Sequence, residues 1–248
     1  MDARCLSAEI LDRYNAQGYM IYGPILTAEE LGELQARVDG LIGHLPPGQR
    51  PESVEAPHVE HAYFREVAAH PRFLDVVEQF LGPNIVLFGS TIIAKPGGDG
   101  KPVAWHQDTP YWPLQPMRAI TLWLAVDDST VENGCMRVIP GSHRRGHIAH
   151  EHVDRRTYVL SLGVREGEID EAAAVALQLR AGECSLHDPG ILHGSKPNTS
   201  PKRRCGYVLH YTAAEATLDR SRAPWDQYPL YLVRGADAAG HNRYANVP

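Results

Sequence analysis

His106 and Asp108 stand two positions apart in the stretch VAWHQDTPYW, with Trp105 and Trp112 on either side. An imidazole and a carboxylate held side by side can share a divalent metal ion. With one further histidine they form a face of two nitrogens and one oxygen that leaves other coordination positions open. The segment reads as a strand, and along a strand residues two apart point to one side. That geometry puts His106 and Asp108 together and sends Trp105 and Gln107 to the opposite face.

A histidine two before an acid occurs three times, as His58-Val59-Glu60, His106-Gln107-Asp108 and His152-Val153-Asp154. So short a motif arises by accident, and a structural histidine satisfied in the core is the alternative for each. The first copy borders a proline-rich loop. The third lies in HRRGHIAHEH, residues 143–152, a charge-dense tract that reads as a solvated loop. Only the middle copy has an apolar strand around it. Downstream, HDPGILHGSKPNTSPKRRCGYVLHY offers two competing histidines, His187 and His193, and then Arg204. Alternation puts Arg204, Gly206, Val208 and His210 on one face of a strand. A guanidinium inside a barrel is costly unless paired. A small dicarboxylate would pair it through two parallel N–H···O bonds; a surface charge at a strand start is the other reading.

The elements that must carry these residues change character along the chain. Ser7 can cap a helix with Ile10, Leu11 and Tyr14 on one side, ending near Gly18. Residues 19–23 read as a short strand. Thr27 and Glu30 form a capping box, opening a helix with Leu31, Leu34, Val38, Leu41 and Ile42 at helical spacing. Residues 46–57 read as a mobile, proline-rich loop, and 71–82 as another helix. After Gly82 come short β-branched or alternating runs separated by turn residues, which predict an antiparallel barrel or jelly roll. The front helices would cover one face of it. The 248 residues suit one domain: a helical part over 1–82, a β core over about 83–213, and an aromatic rim or lid over 214–248. The formal charge of −6 argues against a nucleic-acid-coating surface. No apolar run reaches the ~20 residues that cross a bilayer. Four scattered cysteines, with neither a CxxC pair nor a secretory signal pattern, predict free thiols and a cytoplasmic setting.

The ordered set WHQDTPYWPL, ITLWLAVDDSTVENGCMRVIPGSH and LHGSKPNTSPKRR resembles the phytanoyl-CoA dioxygenase family of Fe(II)/2-oxoglutarate oxygenases. The likeness runs from about Ser90 to Tyr211, and more faintly through GYMIYGPILTAEEL and LVRGAD. It implies a mainly β, cupin-like double-stranded β-helix in which His106, Asp108 and His193 bind Fe(II). It further implies that Arg204, assisted by Ser195, holds the distal carboxylate of 2-oxoglutarate, and that Thr91, Trp123 and Thr121 line the cosubstrate pocket. Plain core or strand roles are the alternatives for Trp123 and Thr91. Asn198, Gly134 and residues 140–143 read as turn chemistry.

The reaction so implied consumes O2 and 2-oxoglutarate, releases succinate and CO2, and hydroxylates an unactivated C–H of a small organic molecule. Desaturation, epimerisation and ring closure need the same cofactors. Halogenating relatives carry a small residue where this chain has Asp108, so chlorination is disfavoured. Tyr111, Trp112, Tyr158 and the C-terminal aromatics would wall a small-molecule pocket; no feature is specific to coenzyme A. Two rival classes fit the same residues. A cupin-like isomerase or hydrolase would work without 2-oxoglutarate, and a ligand-binding barrel would leave the histidines structural.

Overall fold

The computed structural model of the chain describes residues 5–221 and 223–245. The far end of the predicted rim, residues 246–248, lies outside the described residues, as do the first four and residue 222.

Helix α1 (Ala8–Gln17) starts where the Ser7 hydroxyl accepts the Ile10 amide, and stops at Gly18, whose φ of 80° few other residues adopt. Strand β1 (Tyr19–Pro24) follows. Helix α2 (Ala28–Gly43) opens on the complete Thr27–Glu30 capping box and buries Leu34 and Val38. The segment 46–57 is not the free loop its prolines predict. It contains β2 (Val54–Glu55), which adds to the sheet, and the buried Glu52, whose carboxylate meets Arg50 at 2.6 Å. Strand pairing and an ion pair hold it, and neither leaves a hydrophobic period to read. Helices α3 (Pro57–Glu60), α4 (Ala62–Ala68) and α5 (Pro71–Leu81) complete the front. Only α5 shows a strong apolar stripe, burying Phe73, Leu74, Val76, Val77 and Leu81.

The β part begins with β3 (Ile85–Lys95), β4 (Val103–His106), β5 (Leu114–Gln115), β6 (Ala119–Ala125) and β7 (Met136–Val138). It continues with β8 (His150–His152), β9 (Leu162–Val164), β10 (Val175–Leu177), β11 (Glu183–His187) and β12 (His193–Ser195). It ends with β13 (Arg204–Ala213), β14 (Thr217–Leu218) and β15 (Tyr231–Arg234). The major sheet runs β1-β11-β6-β13-β3-β15, with β2 also on β3; the minor sheet runs β10-β7-β12-β4. Every pair is antiparallel. This is the jelly roll the sequence predicts. The tract 143–152 is less free than its charge predicts, since its end is β8, paired with β9. Part of the predicted rim likewise joins the sheet as β15.

The two faces of the major sheet pack on different partners. One face presents Ile92, Ala94, Leu122, Leu124, Tyr207, Leu209 and Tyr211 to the helices, against Leu34, Val38, Phe64, Phe73, Val76 and Val77. Tyr207 and Tyr211 donate to the carbonyls of Phe64 and Ala68 at 2.9 and 2.7 Å, so the buried hydroxyls also anchor α4. The other face packs Trp123, Ala125 and Val208 on Met136, Val138 and Leu177 of the minor sheet. Among the described residues, no helix is long and apolar enough to cross a membrane.

Gly206 decides how closely the sheets approach at Trp123. A Cβ at Gly206 would lie 2.1 Å from Trp123 Cζ2, so only glycine lets the indole cross the strand. Gly206→Ala is expected to lower stability by about 1–3 kcal/mol through overpacking. Urea unfolding followed by tryptophan fluorescence measures it, and an unchanged midpoint would contradict this packing.

Candidate active site

Strand β4 ends at His106, and Asp108 is not on it. Asp108 has φ −75° and ψ −30° and begins the turn Thr109–Tyr111, with its amide donating to the Pro189 carbonyl at 2.8 Å. His106 and Asp108 therefore meet through a turn, not through the strand alternation their spacing predicts. Strand β12 lies beside β4 with His193 directly opposite His106, and the ring centroids are 4.1 Å apart. Each Nδ1 bonds the carbonyl two residues back, Ala104 at 2.8 Å and Ile191 at 3.1 Å. A carbonyl only accepts, so each Nδ1 carries the proton and each Nε2 offers a lone pair. Those Nε2 atoms lie 3.6 and 3.7 Å from Asp108 Oδ1. The three candidate ligand atoms all fall within 4.8 Å of one another, and all three residues are buried.

The protonation states suit a metal. Burial pushes His106 and His193 down, more than Asp108 pulls them up, so both imidazoles are neutral. Burial works to raise the Asp108 carboxyl, but its polar neighbours outweigh it and hold it below the usual carboxylate range. His187, the competitor for His193, stands on the other side of Asp108. Its Nε2 is 3.6 Å from Oδ2, and neither of its ring nitrogens has a hydrogen-bond partner. Thr121 also belongs to this carboxylate. Its hydroxyl lies 3.2 Å from Asp108 Oδ2, and it does not line the cavity, which corrects its expected place in the cosubstrate pocket. The inward row of β6 carries it to Asp108, one step along from Trp123.

The second charged group is cationic. Arg204 is buried, its Nε and Nη2 donating to the Gly134 carbonyl at 3.1 and 2.7 Å and its Nη2 to Ser195 Oγ at 3.1 Å. Its Cζ sits 5.5 Å from the centre of the Trp123 ring. Burial lowers Arg204 to about 10, so it stays charged at neutral pH. Sequence reasoning missed its neighbour Lys95, fully buried, whose Nζ donates to Ser195 Oγ at 2.6 Å and to the Lys196 carbonyl. The signal was present: the alternation that turns Thr91 and Ile93 inward turns Lys95 inward too, opposite Arg204 in register. Among the described residues neither cation has a carboxylate partner; Glu52, whose charge Lys95 feels, is paired with Arg50. Ser195 Oγ accepts from both, so its own proton is free for a further acceptor.

A cavity of about 630 Å³ joins the two groups. Arg204, Ser195 and Trp123 line it, then His106, Asp108 and His193, then Phe88, Tyr111, Trp112, Trp225 and Tyr228. Thr91 also lines it, and its hydroxyl donates to Glu55 at 3.1 Å. Tyr158 does not; its neighbours Val159, Leu160 and Ser161 take that wall, just past the turn at 155–157.

The family model of phytanoyl-CoA dioxygenase matches residues 14–206, most of the chain. The chain belongs to this family. As a family member it is an oxidoreductase of the dioxygenase class, whose cofactor and cosubstrates are Fe(II), 2-oxoglutarate and O2. It is 33% identical over 184 residues to a probable alpha-ketoglutarate-dependent hypophosphite dioxygenase of Stutzerimonas stutzeri, covering 73% of this chain but only 64% of that relative. It is 27% identical over 258 residues to an ectoine dioxygenase of Bordetella parapertussis, covering 93% and 83%. Among solved structures it is similar to a non-heme monooxygenase, ThoJ, with TM-score 0.77 and 28% identity over 91% of this chain and 84% of that one.

Lys95 gives this family member a pH signature. Burial first, then Arg204, lowers Lys95 to about 6, so it is neutral above that pH in the free site. An anion bound beside Arg204 raises it again. The complex then holds more protons than its parts, so 2-oxoglutarate affinity is expected to fall as pH rises above about 6. Calorimetry in two buffers of different ionisation enthalpy should detect proton uptake at pH 7.5, and Lys95→Met should abolish it. Uptake that persists in that variant would assign the proton elsewhere.

Proposed function

We propose that the chain is a single oxygenase domain that uses Fe(II), 2-oxoglutarate and O2 to hydroxylate an unactivated C–H of a small organic molecule, releasing succinate and CO2. One observation carries this reading: a single cavity joins the His106, Asp108 and His193 cluster to the buried Arg204 guanidinium, which has no acidic partner among the described residues. An isomerase or hydrolase using the metal alone would leave the Arg204 guanidinium uncompensated. A simple binding barrel would leave two imidazole lone pairs and a carboxylate oxygen facing one another.

The donor set fits Fe(II): two neutral imidazoles and one carboxylate on one face, with the remaining positions turned to the cavity. His106 and His193 would hold the ion through Nε2, and Asp108 through Oδ1. When bound, the iron supplies the activation of dioxygen, driven by decarboxylation of 2-oxoglutarate, that breaks the C–H bond. The protein's part is placement. Thr121 occupies Oδ2, so Asp108 offers the metal a single oxygen. Arg204 and the Ser195 hydroxyl take the distal carboxylate, with Lys95 behind them, and Trp123 keeps water from that pair. Thr91 borders the same chamber. Asp108 fills the space a chloride would need. Tyr111 and Trp112 wall the substrate side with Trp225 and Tyr228, and that aromatic surface suits an organic molecule, as in the ectoine dioxygenase, rather than hypophosphite. Four free thiols fit a cytoplasmic setting, and the charge of −6 does not suit a nucleic-acid partner.

Anaerobic addition of Fe(II) and then 2-oxoglutarate is expected to raise a visible metal-to-ligand charge-transfer band. Iron binding without the band would favour the isomerase or hydrolase reading, and no iron uptake would remove the metal centre altogether. Arg204→Ala is expected to weaken 2-oxoglutarate binding roughly tenfold to hundredfold, as losing one or two charge-assisted bonds should, while iron affinity stays within about twofold. Equal cosubstrate affinity in that variant would overturn the role given to Arg204.

A further inference from the structure

The cavity holds one more imidazole, His210 on β13, and three features of the fold fix its ring. The register of β13 on β3 slips between His210 and Tyr211, a bulge of the kind that re-aims a side chain beside a site. Gly89 is its partner across that pair, and a Cβ at Gly89 would lie 3.0 Å from His210 Cδ2. Trp112 and Phe88 flank the ring, with centroids 4.7 and 5.9 Å away. Its Nδ1 lies 3.2 Å from Thr121 Oγ1, the same hydroxyl that lies 3.2 Å from Asp108 Oδ2.

This chain of bonds has one consistent proton assignment. An ionised carboxylate only accepts, so the Thr121 proton points to Asp108. Thr121 then has only lone pairs to offer His210, and His210 Nδ1 must be the donor. Burial, against the pull of Asp108, lowers His210 to about 4, so the ring carries a single proton at neutral pH. That proton is on Nδ1. Nε2 is left with its lone pair, on a ring that lines the cavity, and no bond to it from a described residue is present.

The structure assigns His210 Nε2 as a substrate-recognition acceptor, and the substrate as a molecule with an O–H or N–H donor that this nitrogen binds between Trp112 and Phe88. The assignment rests on the proposed oxygenase reading of the cavity and narrows its substrate: alcohols, amines and amides fit, whereas pure hydrocarbons and acceptor-only ketones or esters do not. The carboxylate proposed to hold the metal also sets, through Thr121, which nitrogen of His210 meets the substrate.

The test uses full-length protein with ¹⁵N-labelled histidine, loaded with Zn(II) as an inert stand-in and with 2-oxoglutarate. Long-range ¹H–¹⁵N correlation is expected to show His210 protonated at Nδ1 and bare at Nε2. Thr121→Val, which keeps the shape without the hydroxyl, is expected to move part of the proton to Nε2. Cyclohexanol and cyclohexanone, alike in size, are then titrated. The alcohol should shift the Nε2 resonance and the ketone should not, and His210→Phe should weaken the alcohol roughly tenfold, the cost of one hydrogen bond to a buried partner. A proton on Nε2, an unchanged tautomer in Thr121→Val, or equal perturbation by the two probes (none by either included) would overturn the assignment. Failure to take up Zn(II) would instead strike the metal-centre reading, since the tautomer can still be read in the metal-free protein.

Discussion

Charges of opposite sign are buried in one barrel and kept from meeting. Among the described residues Asp108 has no Lys or Arg partner, and its nearest titratable neighbours are histidines at 3.6 to 3.7 Å. Among the described residues Arg204 and Lys95 bond a hydroxyl and backbone carbonyls and no carboxylate. An ion pair between Asp108 and Arg204 would solvate both, and burial without one is expensive. Strand register forbids it. Along β13 the inward positions run Arg204, Gly206, Val208, His210, and the Trp123 indole lies across Gly206 in the gap. Each group is left to be neutralised from outside the chain, the carboxylate by a cation and the guanidinium by an anion. Much of the rest of the fold serves to maintain that separation.

The separation depends on sheets whose two faces do different work. On β6 and β13 every second residue is apolar and packs with the helical layer, as Ile92 and Ala94 of β3 do, while Trp123, Arg204, Val208, His210, Thr91 and Ile93 line the cavity from the other face. The helical layer supplies most of the apolar burial, which frees the inner face to carry Lys95, Thr121, Arg204 and His210, residues a minimal core would exclude. Tyr207 and Tyr211 show the boundary within one strand. Their rings pack outward and their hydroxyls end on α4, one residue away from positions that touch the site.

Period-two alternation is also what made this site legible in the sequence. It placed Arg204, Gly206, Val208 and His210 on one face correctly, and the capping residues Ser7, Gly18, Thr27 and Glu30 set the ends of α1 and the start of α2. It failed where the chain leaves the strand. Asp108 comes to His106 through a turn held by Pro189, and Tyr158, just past the turn at 155–157, does not line the cavity. The segment 46–57 is ordered by an ion pair and a two-residue strand, neither of which produces a periodic signal. Thr121 went to the wrong partner because parity fixes a face and says nothing about depth along it. Lys95 was overlooked because a lysine before a proline-glycine turn looks like a solvated strand end.

The middle letter of HQD explains why the turn at Asp108 is firm enough to hold a ligand. The metal half of the cavity rests on short strands, β4, β7 and β12, which by themselves position little. Gln107 is fully buried on their far side and uses its whole amide. Its Nε2 donates to the carbonyls of Gly146 and Gly190 at 2.9 and 2.7 Å, its Oε1 accepts the Ile148 amide at 2.8 Å, and its backbone N–H donates to His150 Nε2 at 2.9 Å. One side chain thus ties the 143–152 tract and the 188–191 turn to the residue between His106 and Asp108. The Pro189 carbonyl, in that same turn, takes the Asp108 amide. A fully satisfied buried amide of this kind has a single low-energy geometry. The charged tract that looked merely solvated therefore has a task at its inner edge: its backbone holds Gln107, and Gln107 holds the angle at which the carboxylate meets the two imidazoles.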